Sequence, residues 1–146
     1  MGPVWQAVAV ISAACWLIVL SVFDIRQRRL PNVLTLPGAG VVLGGAALTG
    51  HGGTAAVGAA AMFAAYALVH VVAPQAMGAG DVKLAIGLGA LTGAFGPEVW
   101  LSAAMGASAL TGLLGLIQLL RGDRSPLPHG PSMCLAAAAS VATVVI

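Results

Sequence analysis

Residues 4–23 read VWQAVAVISAACWLIVLSVF, with Asp24 directly after them. The run carries no Asp, Glu, Lys or Arg, and as a helix it is long enough for the roughly 30 Å of a bilayer's hydrocarbon core. Similar runs recur at 33–50, 54–73, 82–95, 99–120 and 132–146. They leave little room for anything else in a chain of 146 residues that is 60% hydrophobic and 7% charged. A soluble domain carries about 25% charged residues. The mean hydropathy of +1.02 therefore excludes a soluble globular domain, a disordered tail and a nucleic-acid module. In lipid only helices or closed barrels satisfy every backbone amide. The runs are continuous and do not alternate over ten residues, so helices are expected. The predicted fold is an all-α membrane protein, one domain of six transmembrane helices.

The connections test this count through their charge. All six basic residues fall in odd-numbered connections or at their edge: Arg26, Arg28 and Arg29 in the first, Lys83 by the third, Arg121 and Arg124 in the fifth. The even connections, around His51 and at 96–98, carry none. Odd connections share one side if every run crosses, and an excess of Lys and Arg marks the cytoplasmic side. Both termini are then outside. With no Lys or Arg through Phe23, the first run lacks the basic start of a cleaved signal peptide and reads as a retained span. The fourth run is short, and a reentrant path is its competing arrangement.

Glycine and alanine fill the runs, as suits backbones that approach closely in lipid. Gly40/Gly44 and Gly89/Gly93 have GxxxG spacing, which in a chain with 20 glycines reads as packing. Cys15 and Cys134 lie far apart in apolar stretches and form no CxxC pair, so both read as small buried hydrophobes and no metal site is expected. His70 reads as a packing residue. Trp5 and Trp100 fall near the outer boundary, where aromatics anchor, and Trp16 falls deeper.

Only four carboxylates exist: Asp24, Asp81, Glu98 and Asp123. Asp123, between Arg121 and Arg124, reads as a solvated loop charge, and Glu98 as a turn charge on the outer side. Asp24 and Asp81 each stand where an apolar helix meets the basic face, and ionisable groups at membrane depth are costly and usually functional. Asp81 could be a helix cap, and Asp24 a boundary residue paired with Arg28. Both, however, end on one face of the bundle. Two carboxylates in a shielded pocket share a proton: the ionised one can deprotonate water while the protonated one polarises a peptide carbonyl.

These residues also carry a resemblance. Asp24-Ile25-Arg26-Gln27-Arg28-Arg29-Leu30-Pro31-Asn32 resembles the first signature of the type IV prepilin peptidases: Asp, basic positions, then aliphatic-Pro-Asn. Gly78-Ala79-Gly80-Asp81-Val82-Lys83-Leu84 is similar to their second, GxGDxKL. Pro128-His129-Gly130-Pro131 resembles the Pro-aromatic-Gly-Pro turn before their last helix. The likeness runs from about residue 16 to about residue 140. It implies a membrane aspartic endopeptidase of the bacterial cytoplasmic membrane that cuts the basic leader from pilin-like precursors at the cytoplasmic face. Asp24 and Asp81 take the place of the family's catalytic pair, with Gly78, Gly80, Lys83, Pro31 and Asn32 as motif-supporting residues. No cofactor or metal is implied; the partners are the precursor and membrane lipid, and the oligomeric state stays open. The chain resembles the short Tad/Flp-type form, without the cysteine region linked to N-methylation.

Elementary chemistry fits the resemblance. Glycines before Asp81 leave room for a substrate backbone. Pro31 suits the first turn of the second helix. Lys83 could hold Asp81 or meet lipid headgroups. The helix dipole favours an anion at Asp81, which opens a helix, and a proton on Asp24, which ends one. Two other functions compete: a small transporter or proton-channel subunit, and a non-catalytic subunit of a pilus or secretion machine. The first requires ionisable groups along a path through the bilayer, whereas the carboxylates here crowd one face. The second would leave a motif incomplete, whereas both aspartates and both motif glycines are present.

Overall fold

The computed structural model describes residues 2–146. Among these residues all regular structure is helical: α1 (Pro3–Gln27), α2 (Asn32–Leu48), α3 (Gly52–Val72), α4 (Ala79–Gly93), α5 (Pro97–Leu120) and α6 (Gly130–Val145). The apolar runs account for all six. The largest departure is at the end of α1, which continues a full turn past Phe23. Asp24 therefore lies inside the helix. Arg28, in the left-handed region at φ 50°, closes it by donating its backbone N–H to the Asp24 carbonyl at 2.9 Å.

Three helices, α1, α3 and α5, are long and apolar enough to cross a membrane. The other three, α2, α4 and α6, have 17, 15 and 16 residues, about 22–26 Å of helix. Large apolar side chains stand exposed over the outer helices, among them Ile11, Ile18, Val41, Val57, Leu101 and Leu120. That is the surface of a protein immersed in lipid, since a soluble monomer rarely exposes broad apolar patches.

The helices alternate in direction. One cavity is lined jointly by residues of the α1–α2 and α3–α4 connections, and the start of α6 touches the end of α1. The odd connections therefore gather at one end. At the other, Gly53, Gly93 and Pro97 line a common cleft. Val10, Phe95, Val145 and Ile146 line another, which brings the first turns of α1 and the last of α6 to that same end.

The shortest helix is the central one. α4 packs against α2, α3, α5 and α6 and buries Val82, Leu84, Ala85, Gly87, Leu88, Gly89, Ala90, Thr92 and Gly93. Glycines set its distance from α3. A methyl group on Gly93 would lie 2.9 Å from Gly58 Cα and 2.8 Å from the Thr54 carbonyl oxygen. The Gly89/Gly93 spacing is thus a packing device. The Gly40/Gly44 spacing is not, because a Cβ on either would meet nothing within 4 Å.

Two tryptophans fill the remaining seams. Trp16 lies between α2 and α4, against Gly38 and Gly87, where a methyl group would collide with the indole. Its N–H donates to the Leu34 carbonyl at 2.8 Å, beside the turn where Pro37 leaves α2 without an amide donor. Trp100 is more than a boundary anchor: its N–H donates to the Gly58 carbonyl at 2.9 Å and clamps α5 onto α3. Trp5 is exposed, as a boundary residue should be. Cys134 is buried as expected, but Cys15 is exposed on α1, so only one cysteine is a core residue.

Candidate active site

Asp24 occupies an inward position of α1. Leu17, Leu20 and Asp24 are that helix's buried residues, at spacings of three and four, so the carboxylate stands where the pattern offers a third leucine. It is 7% exposed, and a buried carboxylate needs partners. Gly130, the first residue of α6, donates its N–H to Asp24 Oδ2 at 2.9 Å. This amide is one of those that a helix leaves unpaired at its start. Glycine is required there, because a Cβ would run into the Asp24 carboxyl group. The Arg28 pairing considered for Asp24 is replaced by this backbone contact.

Asp81 stands in the first turn of α4. Gly78 is the N-cap residue and Asp81 lies three positions on, with its own N–H on the Gly78 carbonyl at 3.1 Å, so it is not the cap. It is half-buried and close enough to Asp24 to feel its charge. The two carboxylates line one cavity of about 560 Å³. Its walls are Gln27, Arg28 and Arg29 after Asp24, Leu30, Pro31 and Asn32 at the start of α2, and Gly78, Ala79, Gly80 and Lys83 around Asp81.

The dipole argument for unequal proton sharing does not survive this geometry. Asp24 does lie in the last turn of α1, but it also faces the first amide of α6. Both carboxylates therefore meet a helix N-terminus, and each gains the stabilisation that anions find there.

The motif-supporting residues sort by contact. Gly80 lets α4 approach the first connection: a Cβ there would lie 3.2 Å from Leu30 Cβ. Lys83 does not reach for Asp81; its Nζ donates to Asn32 Oδ1 at 2.8 Å and ties the two motifs together. Pro31 is the N-cap residue of α2 and not part of its first turn, with an extended ψ of 136°. Gly78 has open space around it apart from the Asp81 carboxyl group at 3.6 Å.

Several residues gain roles that the sequence did not signal. His70, in the last turn of α3, donates from Nδ1 to the Met77 carbonyl at 2.6 Å. It thereby braces the 73–78 connection that delivers Asp81, and its spacing from the second motif was the available clue. His129 precedes Gly130 and is held by Thr111 and Tyr66. Burial lowers its pKa from the ordinary histidine value, which favours the neutral ring. A lone Tyr and a Thr within apolar runs carry no sequence signal of this kind.

The other carboxylates lie apart from the cavity. Asp123 is exposed and accepts the Ser125 N–H at 2.9 Å, which holds its carboxyl below the usual range. Glu98 is in the first turn of α5, at the opposite end. Among the described residues no three His, Cys, Asp or Glu side chains cluster as metal ligands.

With this geometry established, known proteins are informative. Residues 11–120 match the type IV leader peptidase family, a span that holds both aspartates. The prepilin leader peptidase/N-methyltransferase of Xanthomonas campestris pv. campestris is 32% identical over 145 residues, which cover 90% of this chain and 48% of that protein. The chain thus spans about half the length of the curated relative it matches. No solved structure matches it.

Proposed function

The chain belongs to the type IV leader peptidase family, and on that premise we propose that it is a membrane aspartic endopeptidase cutting the basic leader from type IV pilin-like precursors. One observation carries the reading: Asp24 and Asp81, one from each motif, line the same cavity. A water held between the carboxylates gives a proton to the ionised one as its oxygen attacks the scissile carbonyl. The protonated carboxyl gives its proton to the carbonyl oxygen. When the tetrahedral adduct collapses, the C–N bond breaks and the amine leaves with the proton taken from water. The new carboxyl product returns the other proton, and the dyad is restored.

The same proposal makes the 146 residues one peptidase domain whose six helices all cross a bacterial cytoplasmic membrane. The cavity end, with every Lys and Arg of the chain near it, faces the cytoplasm, and both termini lie outside. The grouping of odd and even connections at opposite ends supports this arrangement. Cleavage is then at the cytoplasmic face, where a precursor's basic leader would remain.

The test is cleavage of a pilin-like precursor with a basic leader by purified protein in detergent. Asp24→Asn and Asp81→Asn should each abolish cleavage while the protein still folds. General acid–base contributions run to roughly 10²–10⁴-fold, and groups that act as a unit fail together. An amide keeps the carboxylate's size, so a purely structural role would survive the exchange. Glu98→Gln and Asp123→Asn, outside the cavity, should retain most activity. Near-normal processing by either Asp24→Asn or Asp81→Asn would sink the dyad.

A further inference from the structure

The start of α6 carries Pro131 in its first turn but no side-chain cap. His129, its N-cap residue, has helical torsions (φ −86°, ψ −25°) and makes no side-chain cap bond, unlike the Ser, Thr, Asp or Asn that usually define a helix start. Two other helices hold its side chain. The His129 Nδ1 lies 2.6 Å from Thr111 Oγ1 on α5. Its Nε2 lies 3.4 Å from the Tyr66 hydroxyl on α3. The Tyr66 and His129 rings stand 5.7 Å apart at 39°. Either hydroxyl can donate or accept, so a neutral imidazole, with one N–H and one lone pair, is satisfied at both nitrogens. The ring has a short contact on one edge and a longer one on the other, and the peptide that follows it is attached directly to the same residue. That peptide carries the Gly130 N–H that donates to Asp24 Oδ2 at 2.9 Å.

We propose that Thr111, His129 and Tyr66 form a bracket that positions Asp24, by holding the His129–Gly130 peptide so that its N–H stays on the carboxylate. His129 is a positioning residue acting through Gly130. The consequence for catalysis rests on the peptidase reading above; the bracket's effect on Asp24 does not. A loosened peptide lets the Asp24 carboxyl rotate away from Asp81, which slows the chemical step and leaves substrate binding alone.

Two measurements on the full chain in detergent test this. In leader cleavage, His129→Ala should lower kcat about tenfold with KM changed less than about twofold, as for the loss of one or two hydrogen bonds at a reacting group. His129→Phe, which keeps a ring against Tyr66, should recover part of that loss. Thr111→Val removes one of the two bonds that His129→Phe removes, so it should lose no more than His129→Phe, and the variant carrying both changes should be no worse than His129→Phe alone. Independently, infrared spectra of protein with isotope-labelled aspartate identify the Asp24 carboxyl band as the one lost in Asp24→Asn. That band should move in His129→Ala and Thr111→Val and stay in Asp123→Asn. An unmoved Asp24 band in both bracket variants overturns the proposal, as does a wild-type kcat in His129→Ala. If His129→Ala fails to fold, Thr111→Val, a milder change, decides by the same band. If the unaltered protein cleaves no precursor, the peptidase reading falls and the spectra still decide the bracket.

Discussion

Gly130 has no room for a side chain. Its N–H is on Asp24 Oδ2 at 2.9 Å, and a single added methyl group would occupy the space of that carboxyl group. Gly130→Ala must therefore push either α6 or Asp24 aside. Overpacking of this kind costs about 1–3 kcal/mol, and misplacing a reacting group by an ångström costs roughly 10²-fold in rate. Expected is a fall in leader cleavage of about that size with the protein still folded, read from steady-state rates and a thermal melt. Gly112→Ala, where the Cβ meets nothing within 4 Å, should leave both unchanged or raise the melting temperature slightly. Lys83 gives a smaller effect. Its bond to Asn32 is exposed, so Lys83→Met should cost only a few-fold in cleavage, and Asn32→Ala should cost the same with no further loss in the pair. Additive losses would mean that the two act separately.

Among the helices, α4 shows how glycine spacing acquires meaning. Gly89 and Gly93 sit against Gly58 of α3 with no room for a side chain, whereas Gly40 and Gly44 of α2 face open space. The same spacing thus sets an interhelical distance in one case and none in the other. Gly93→Ala should separate α3 from α4 and lower stability by about 1–3 kcal/mol. Gly44→Ala should be neutral or mildly stabilising, as alanine is for an unhindered helix interior. Thermal unfolding of the two variants in one detergent compares them directly, and equal melting points would contradict the packing. The end of α1 matters as much. Because it runs to Gln27, Asp24 keeps helical geometry and points inward with Leu17 and Leu20. A helix stopping at Phe23 would have left the carboxylate on a connection.

At the scale of the whole molecule, the alternating helices put three connections at the end that holds the cavity, two of them lining it, and leave the chain ends and the even connections at the far end. Single cysteines at Gln27 and at Ser125, in a background with Cys15 and Cys134 replaced by Ala, should react with a membrane-impermeant reagent only from the cytoplasmic side. A cysteine at His51 should react only from outside. Labelling of Gln27 or Ser125 from outside would overturn the proposed orientation. The central α4, although the shortest helix, needs no long apolar surface because four neighbours cover it.

Helix number, helical class, the two aspartates near helix ends and the common end of the basic connections were all legible in the amino-acid order. Hydropathy and charge are local sums, and a bilayer reads them locally. Which face of each helix turns inward was not legible. In water an amphipathic helix marks its buried side with apolar residues, but lipid is as apolar as the protein interior, so the outer faces of α1, α3 and α5 look like the inner ones. Only the tertiary structure decided that α4 is central, that Trp16 fills a slot made by Gly38 and Gly87, and that His70 braces the connection before Asp81. It alone brought Gly130 and its bracket to Asp24, because residues 106 positions apart meet through the packing of whole helices, which no local pattern encodes.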